Sequence, residues 1–201
     1  MHPFREKTPK HRKNRKLCKH YKSYRGTLRI DFNERCGYCN DSDLNFKRSF
    51  VIDHFVPQNP SGFSHAIAPN YYYNLIYACS FCNGKKSNTW ATGHATTHND
   101  GSVGFIMPTK KAYGDLFERA IDGSIVVKNN SPLGKYIHNE LNLGWILHSL
   151  NWKFGKILQQ ETILEKLYKK SKDATIRAEI DSLKVIRVGV VDDINAIFNG
   201  R

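Results

Sequence analysis

Long apolar stretches are absent from this sequence. No run approaches the roughly 20 residues that a membrane-spanning helix requires, and the opening MHPFREKTPKHRKNRKLCKH lacks the apolar centre of a secretory signal. A soluble cytoplasmic protein with no membrane partner is therefore expected. Acidic residues are scarce at one end: residues 1–29 hold 11 Lys and Arg against a single acid, Glu6. The remaining 20 basic and 17 acidic residues nearly cancel, so most of the formal charge of +13 sits in this segment. Like charges at that density repel one another, which predicts a disordered basic arm suited to displacing the counterions of a nucleic acid. The arm has no apolar face with which to lie on a membrane surface. Internal repeats are also missing, and no tract other than the arm is of low complexity.

Cysteine is infrequent but ordered. Four of the five cysteines form two C-x-x-C knuckles, Cys36 and Cys39 in RCGYCN and Cys79 and Cys82 in ACSFCN. Disulfides are disfavoured in a reducing compartment, and a redox motif needs no second copy. Four thiolates in two pairs suit the closed tetrahedral coordination of a structural Zn²⁺. Such an ion would tie residue 36 to residue 82, holding the intervening chain by a metal clip rather than by a large core. Cys18, in the basic arm, has no partner and no assigned role.

The chain divides by pattern into four parts: the arm at 1–29, a knuckle-bearing core at 30–92, an irregular linker with short strands at 93–140, and a helical hairpin at 141–201. The β-branched and aromatic run RSFVIDHFV predicts a strand ended by Pro57, and NYYYNLIYAC predicts a second leading to the second knuckle. NGKKSNTWA predicts a short helix with Asn83 in its first turn. Short strands are expected around Phe105-Ile106 and Ile125-Val127, with a turn at Asp122-Gly123. Leu147, Leu150, Phe154, Ile157, Leu158, Leu164 and Leu167 recur at helical spacing. After the break KKSKDA, Ile176, Ile180, Leu183, Ile186, Val190, Ile194 and Ile197 do the same, giving two helices whose apolar faces pack together. His94 and His98, four residues apart, would share a helix face but lie in a Gly/Thr-rich loop.

The adjacent acid and imidazole in VIDHF are the chemical feature within the core. Phosphodiester hydrolysis needs an activated water, and a histidine titrating near neutrality is the natural base for it. His54 fills that part if its other ring nitrogen is fixed, as by a backbone carbonyl across the loop. On a regular strand Asp53 and His54 point to opposite faces, so one site can use both only where the strand twists or ends.

The segments CGYC…VIDHFVPQ…YNLIYACSFCNGKKSN resemble the HNH endonuclease family in its zinc-knuckle, ββα-metal form, over about residues 30 to 90. LRIDFNERCGYC, YGDLFERAIDGSIVV and GKYIHNELNL look more loosely like stand-alone bacterial HNH proteins, some found in restriction or anti-phage loci. The resemblance implies an α+β fold: a ββα-metal core stapled by a four-cysteine zinc, with the basic arm and a C-terminal helical hairpin lobe. It implies a metal-dependent nuclease of DNA in which Asp53 and Asn83 hold a catalytic Mg²⁺ or Mn²⁺, and Asn74 supports the loop beneath His54. Around such a site Lys47, Arg48, Lys85 and Lys86 are expected phosphate contacts, joined by Arg12, Lys13, Arg15 and Lys16 of the arm. Many family members carry Gly-Gly after the histidine, where this chain has PQNPSGF with one Gly62. A single base and metal cut one strand, so cutting both requires a homodimer or two events, and restraint of a nuclease in a bacterium implies a regulatory protein partner. The alternatives are a catalytically silent zinc module that binds nucleic acid, and an HNH nuclease acting on RNA.

Overall fold

In the computed structural model, which describes residues 1–44 and 49–199, the basic N-terminal segment is not a free arm. Strand β1 (His2–Pro3) joins a sheet, and Phe4 is buried against Phe117 and Tyr113 at ring-centroid distances of 5.3 and 6.2 Å. The His11 ring donates from Nε2 to the Leu75 carbonyl at 2.7 Å, and Arg12 is paired with Asp31 at 2.8 Å. A 3-10 turn at Tyr21–Tyr24 leads into helix α1 (Arg25–Asp31), which buries Leu28. Disorder was the wrong expectation because the arm's repulsion is relieved by acids just beyond it, such as Asp31 and Asp43. Its few apolar residues, Phe4, Tyr24 and Leu28, enter the common core.

Strands β2 (Phe50–His54) and β3 (Leu75–Cys79) pair antiparallel, with Phe50 opposite Cys79 and His54 opposite Leu75. Helix α2 (Ser80–Lys86) follows without a loop. It begins earlier than the sequence suggested: Cys79 is the N-cap, its Sγ accepting from the Cys82 amide at 3.4 Å, so Asn83 lies in mid-helix rather than in the first turn.

Residues 93–140 are not a linker. They contribute helix α3 (Lys111–Asp115), strands β4 (Phe117–Arg119) and β5 (Ile125–Val127), and helix α4 (Pro132–Glu140). These strands and β1 form a three-stranded sheet in the order β1-β4-β5. Phe105, Tyr113, Phe117, Ile125, Leu133 and Ile137 share one core with the four cysteines. The polar stretch before residue 104 masks this in the sequence, and Phe105 is buried without entering a strand. The start of α4 carried a readable signal, Ser131-Pro132, with the serine hydroxyl accepting from the Gly134 amide at 3.1 Å.

The expected hairpin consists of helices α5 (Ile146–Ser171) and α6 (Ala174–Asn199). Lys172 turns in the left-handed region, and the Asp173 carboxylate accepts from the Thr175 amide at 2.7 Å to start α6. Leu147, Leu150, Val190 and Ile194 form a second core at the base of the hairpin. Leu167 and Ile186, expected inside by periodicity, are half-exposed because the distal halves of the helices cover only each other.

Candidate active site and metal centre

The two knuckles meet because β3 delivers Cys79 and the first turn of α2 delivers Cys82 beside the turn carrying Cys36 and Cys39. That turn is tied by the Asp41 carbonyl accepting from the Cys36 amide at 2.9 Å and the Tyr77 carbonyl accepting from the Gly37 amide at 2.8 Å. Gly37 cannot carry a side chain, since a Cβ there would stand 2.7 Å from Ile76 and 2.8 Å from Phe32. All four cysteines are buried, and their sulfurs lie within 4.8 Å of one another. The Cys39 and Cys79 sulfurs are 3.9 Å apart. A Zn–S bond of about 2.3 Å in a tetrahedron requires sulfurs about 3.8 Å apart, so the group fits a metal such as zinc.

An open cleft of about 350 Å³ is lined by Ile52, Asp53, His54, Pro57, Gln58, Asn59, Asn83, Ser87 and Asn88. His54 is the last residue of β2, so the strand ends where the acid and imidazole must share one site. The imidazole Nε2 lies 2.8 Å from the Pro69 carbonyl. A carbonyl can only accept, so Nε2 carries the proton and Nδ1 keeps its lone pair. Burial holds the ring below the ordinary histidine pKa, with the Pro69 contact and Asp53 pulling the other way. The histidine is thereby favoured in the neutral form that can accept a proton.

Asn74 clamps the chain directly after His54. Its Oδ1 accepts from the Val56 amide at 2.9 Å and its Nδ2 donates to the Val56 carbonyl at 3.0 Å. The backbone adds a third tie, the Phe55 amide donating to the Asn74 carbonyl at 2.8 Å. Asn70, the neighbouring asparagine, does something else: its Nδ2 donates to the Cys18 carbonyl at 2.9 Å.

Asp53 faces both ways. It lines the cleft, yet its carboxylate accepts from the Tyr38 hydroxyl and is 3.3 Å from the Lys86 ammonium. Burial pushes the Asp53 pKa up, opposed by Lys86 and Tyr38. A carboxylate has about four acceptor positions, so these two partners leave lone pairs for a cation. Asn83 reaches the same cleft from α2, on the helix face it shares with Lys86 three residues on. Asn88 lines it too, with its amide donating to Ser61 at 2.9 Å.

The expected basic contacts separate sharply. Lys86 is fully buried, donating to the His54 carbonyl at 3.0 Å and paired with Asp53, so it is no surface phosphate contact. The sequence misleads here because Lys85 and Lys86 look alike, while only Lys86 falls on the inner face of α2. Lys85 is exposed over the Phe81 ring at 5.7 Å. Arg12 is committed to Asp31, and Arg15 lies over the Tyr24 ring at 5.2 Å. Lys13 and Lys16 are exposed. Lys47 and Arg48 lie outside the described residues. His98 packs against Phe55 and Trp90 at 5.0 and 5.7 Å, and neither it nor His94 joins a metal-capable cluster among the described residues.

Replacing Lys86 by methionine should cost about 3–5 kcal/mol, the penalty for stranding one member of a buried ion pair. Denaturant unfolding of Lys86→Met against the parent protein measures it.

Sequence reasoning missed Tyr38, Lys86 as a partner of Asp53, and Tyr21, whose ring meets that of His54 edge-on at 4.9 Å. Tyr38 had a weak signal, its place inside the first knuckle; Tyr21 had none. No protein-family model, no curated protein and no solved structure matches the chain.

Proposed function

We propose that the protein is a metal-dependent HNH endonuclease that hydrolyses phosphodiester bonds of DNA, with His54 as general base. The observation that carries this reading is the His54 ring, anchored through Nε2 to Pro69 so that Nδ1 is the accepting nitrogen, in one cleft with Asp53 and Asn83. In that reading Asn74 fixes the backbone on which the imidazole sits. Asp53 and Asn83 offer hard oxygen donors of the type that Mg²⁺ or Mn²⁺ prefers. A divalent ion there would stabilise the charge on the phosphate and the leaving oxygen. In the same reading the four cysteines hold a structural zinc that takes no part in the reaction, with Tyr38 of the first knuckle bonded to Asp53. A role in bacterial restriction or anti-phage defence, a homodimer and a regulatory partner belong to the same proposal.

The test is conversion of supercoiled plasmid to nicked or linear form by purified protein with Mg²⁺ or Mn²⁺, against a chelator control. Cleavage of RNA with no action on plasmid would transfer the proposal to an RNA substrate; no cleavage of either would leave the binding module. Of the four arm residues expected at phosphate, Lys13 and Lys16 are exposed and pair with no acid among the described residues. Changing both to alanine should reduce the slope of log affinity against log salt by about 1.8, at about 0.9 per contact on duplex DNA. An unchanged slope would remove the arm from the interface.

A further inference from the structure

Two guanidiniums flank the first knuckle, Arg119 buried and Arg5 partly buried, and neither is explained by the cleft. Arg5 donates from Nη2 to the Gly37 carbonyl at 2.9 Å and from Nη1 to the Pro108 carbonyl at 3.0 Å. Arg119, 1 % exposed, donates from Nη2 to the Cys39 carbonyl at 2.8 Å and from Nη1 to the His148 and Gly123 carbonyls at 3.0 and 2.7 Å. The Nε of each is shut off from solvent with no hydrogen-bond partner. Among the described residues Arg5 has no carboxylate within ion-pair distance. The nearest to Arg119, Asp41, is 3.5 Å away and already accepts from His148 at 2.7 Å and Asn151 at 2.9 Å.

Buried cations normally sit beside a counter-charge. Arg5 has two carbonyls and the ring faces of Phe4 and Tyr113, at 4.8 and 5.0 Å, but no anion among the described residues, and Arg119 shares its one carboxylate, Asp41, with His148 and Asn151. Burial holds both guanidiniums below their ordinary pKa, against the pull of Tyr113, Cys36 and Cys39 at Arg5 and of Asp41 and Cys39 at Arg119. Zinc bound by four thiolates is a dianion, which needs cations as much as these arginines need an anion.

We propose that Arg5 and Arg119 are the counter-ions of the four-cysteine metal centre, each seated on a knuckle carbonyl so that two positive charges balance the zinc tetrathiolate. The inference rests on the zinc reading of the cysteines. It gives the N-terminal segment a purpose distinct from nucleic-acid binding: Arg5 locks β1 and Phe4 against the knuckle, and Arg119 joins the same centre to the base of α5 through the His148 carbonyl. The attachment of both chain ends is thereby linked to the metal.

The experiment uses the full chain and a colorimetric zinc chelator. Zinc content of the parent protein is measured first; a parent without zinc would defeat the zinc reading itself. Given zinc in the parent, Arg5→Met should lose it to the chelator about 10–100-fold more readily, the usual effect of removing a group that supports metal ligands. Arg5→Lys, which keeps the charge, should lie near the parent. Equal retention by Arg5→Met and the parent, or equal loss by Arg5→Met and Arg5→Lys, would overturn the proposal, since charge would then be irrelevant. If Arg5→Met does not fold, Arg5→Gln, which keeps donors for the two carbonyls without the charge, makes the same comparison.

Discussion

Purified His54→Ala protein is expected to cleave plasmid about 10²–10⁴-fold more slowly than the parent in Mg²⁺ or Mn²⁺, the range a positioned general base contributes. Zinc content, melting behaviour and DNA affinity should change little, because among the described residues the ring makes one hydrogen bond, to Pro69, and packs edge-on against Tyr21. The cysteines and the Asn74 clamp on Val56 are untouched by the change. A parallel Asn74→Ala variant sharpens the result. It leaves Val56 without two partners and should slow cleavage by disturbing where His54 sits, with the imidazole itself present. Cleavage by His54→Ala at the parental rate would remove the histidine from the chemistry and with it the assignment of the cleft.

The second large effect is expected from Cys79→Ser. Cys79 ends β3, caps α2 and supplies one of four clustered sulfurs, so one residue serves a strand, a helix and the metal group. Structural zinc contributes about 10–16 kcal/mol in small zinc-folded peptides, as large as the whole stability of a typical domain, about 5–15 kcal/mol. The serine variant should therefore lose its metal and its cooperative unfolding together. A variant that is zinc-free yet melts like the parent would show that apolar packing alone holds the knuckles, contradicting the clip.

The parts of the fold that were legible in the sequence are those written in local pattern. The two knuckles, the pair of strands around them and the long helices α5 and α6 follow from spacing and periodicity, and their observed bounds differ from expectation by a few residues. The functions of individual charged residues were less legible, because charge on the page does not say which way a side chain turns. Lys86 read as a phosphate contact and is fully buried, and Arg119, which drew no reading, is buried as well. Arg12 and Arg15 read as phosphate contacts, and both are occupied within the chain. In each case the deciding partner is distant in sequence: Asp53 for Lys86, Cys39 for Arg119, Asp31 for Arg12. The end of β2 had a local signal in Pro57, but the strand stops already at His54, where Asn74, 18 residues on from Val56, clamps the following chain.

Pro69 and Asn70 are neighbours that grip different things, the ring of His54 and the backbone of Cys18. A pull on the N-terminal segment is therefore transmitted, over a single peptide unit, to the imidazole. Shortening the chain to strip its positive charge would also slacken this tether, and a truncated protein that no longer cuts would report on two losses at once. Point changes at Lys13 and Lys16 avoid that confusion, because they remove two of the segment's positive charges while leaving its grip on the histidine intact.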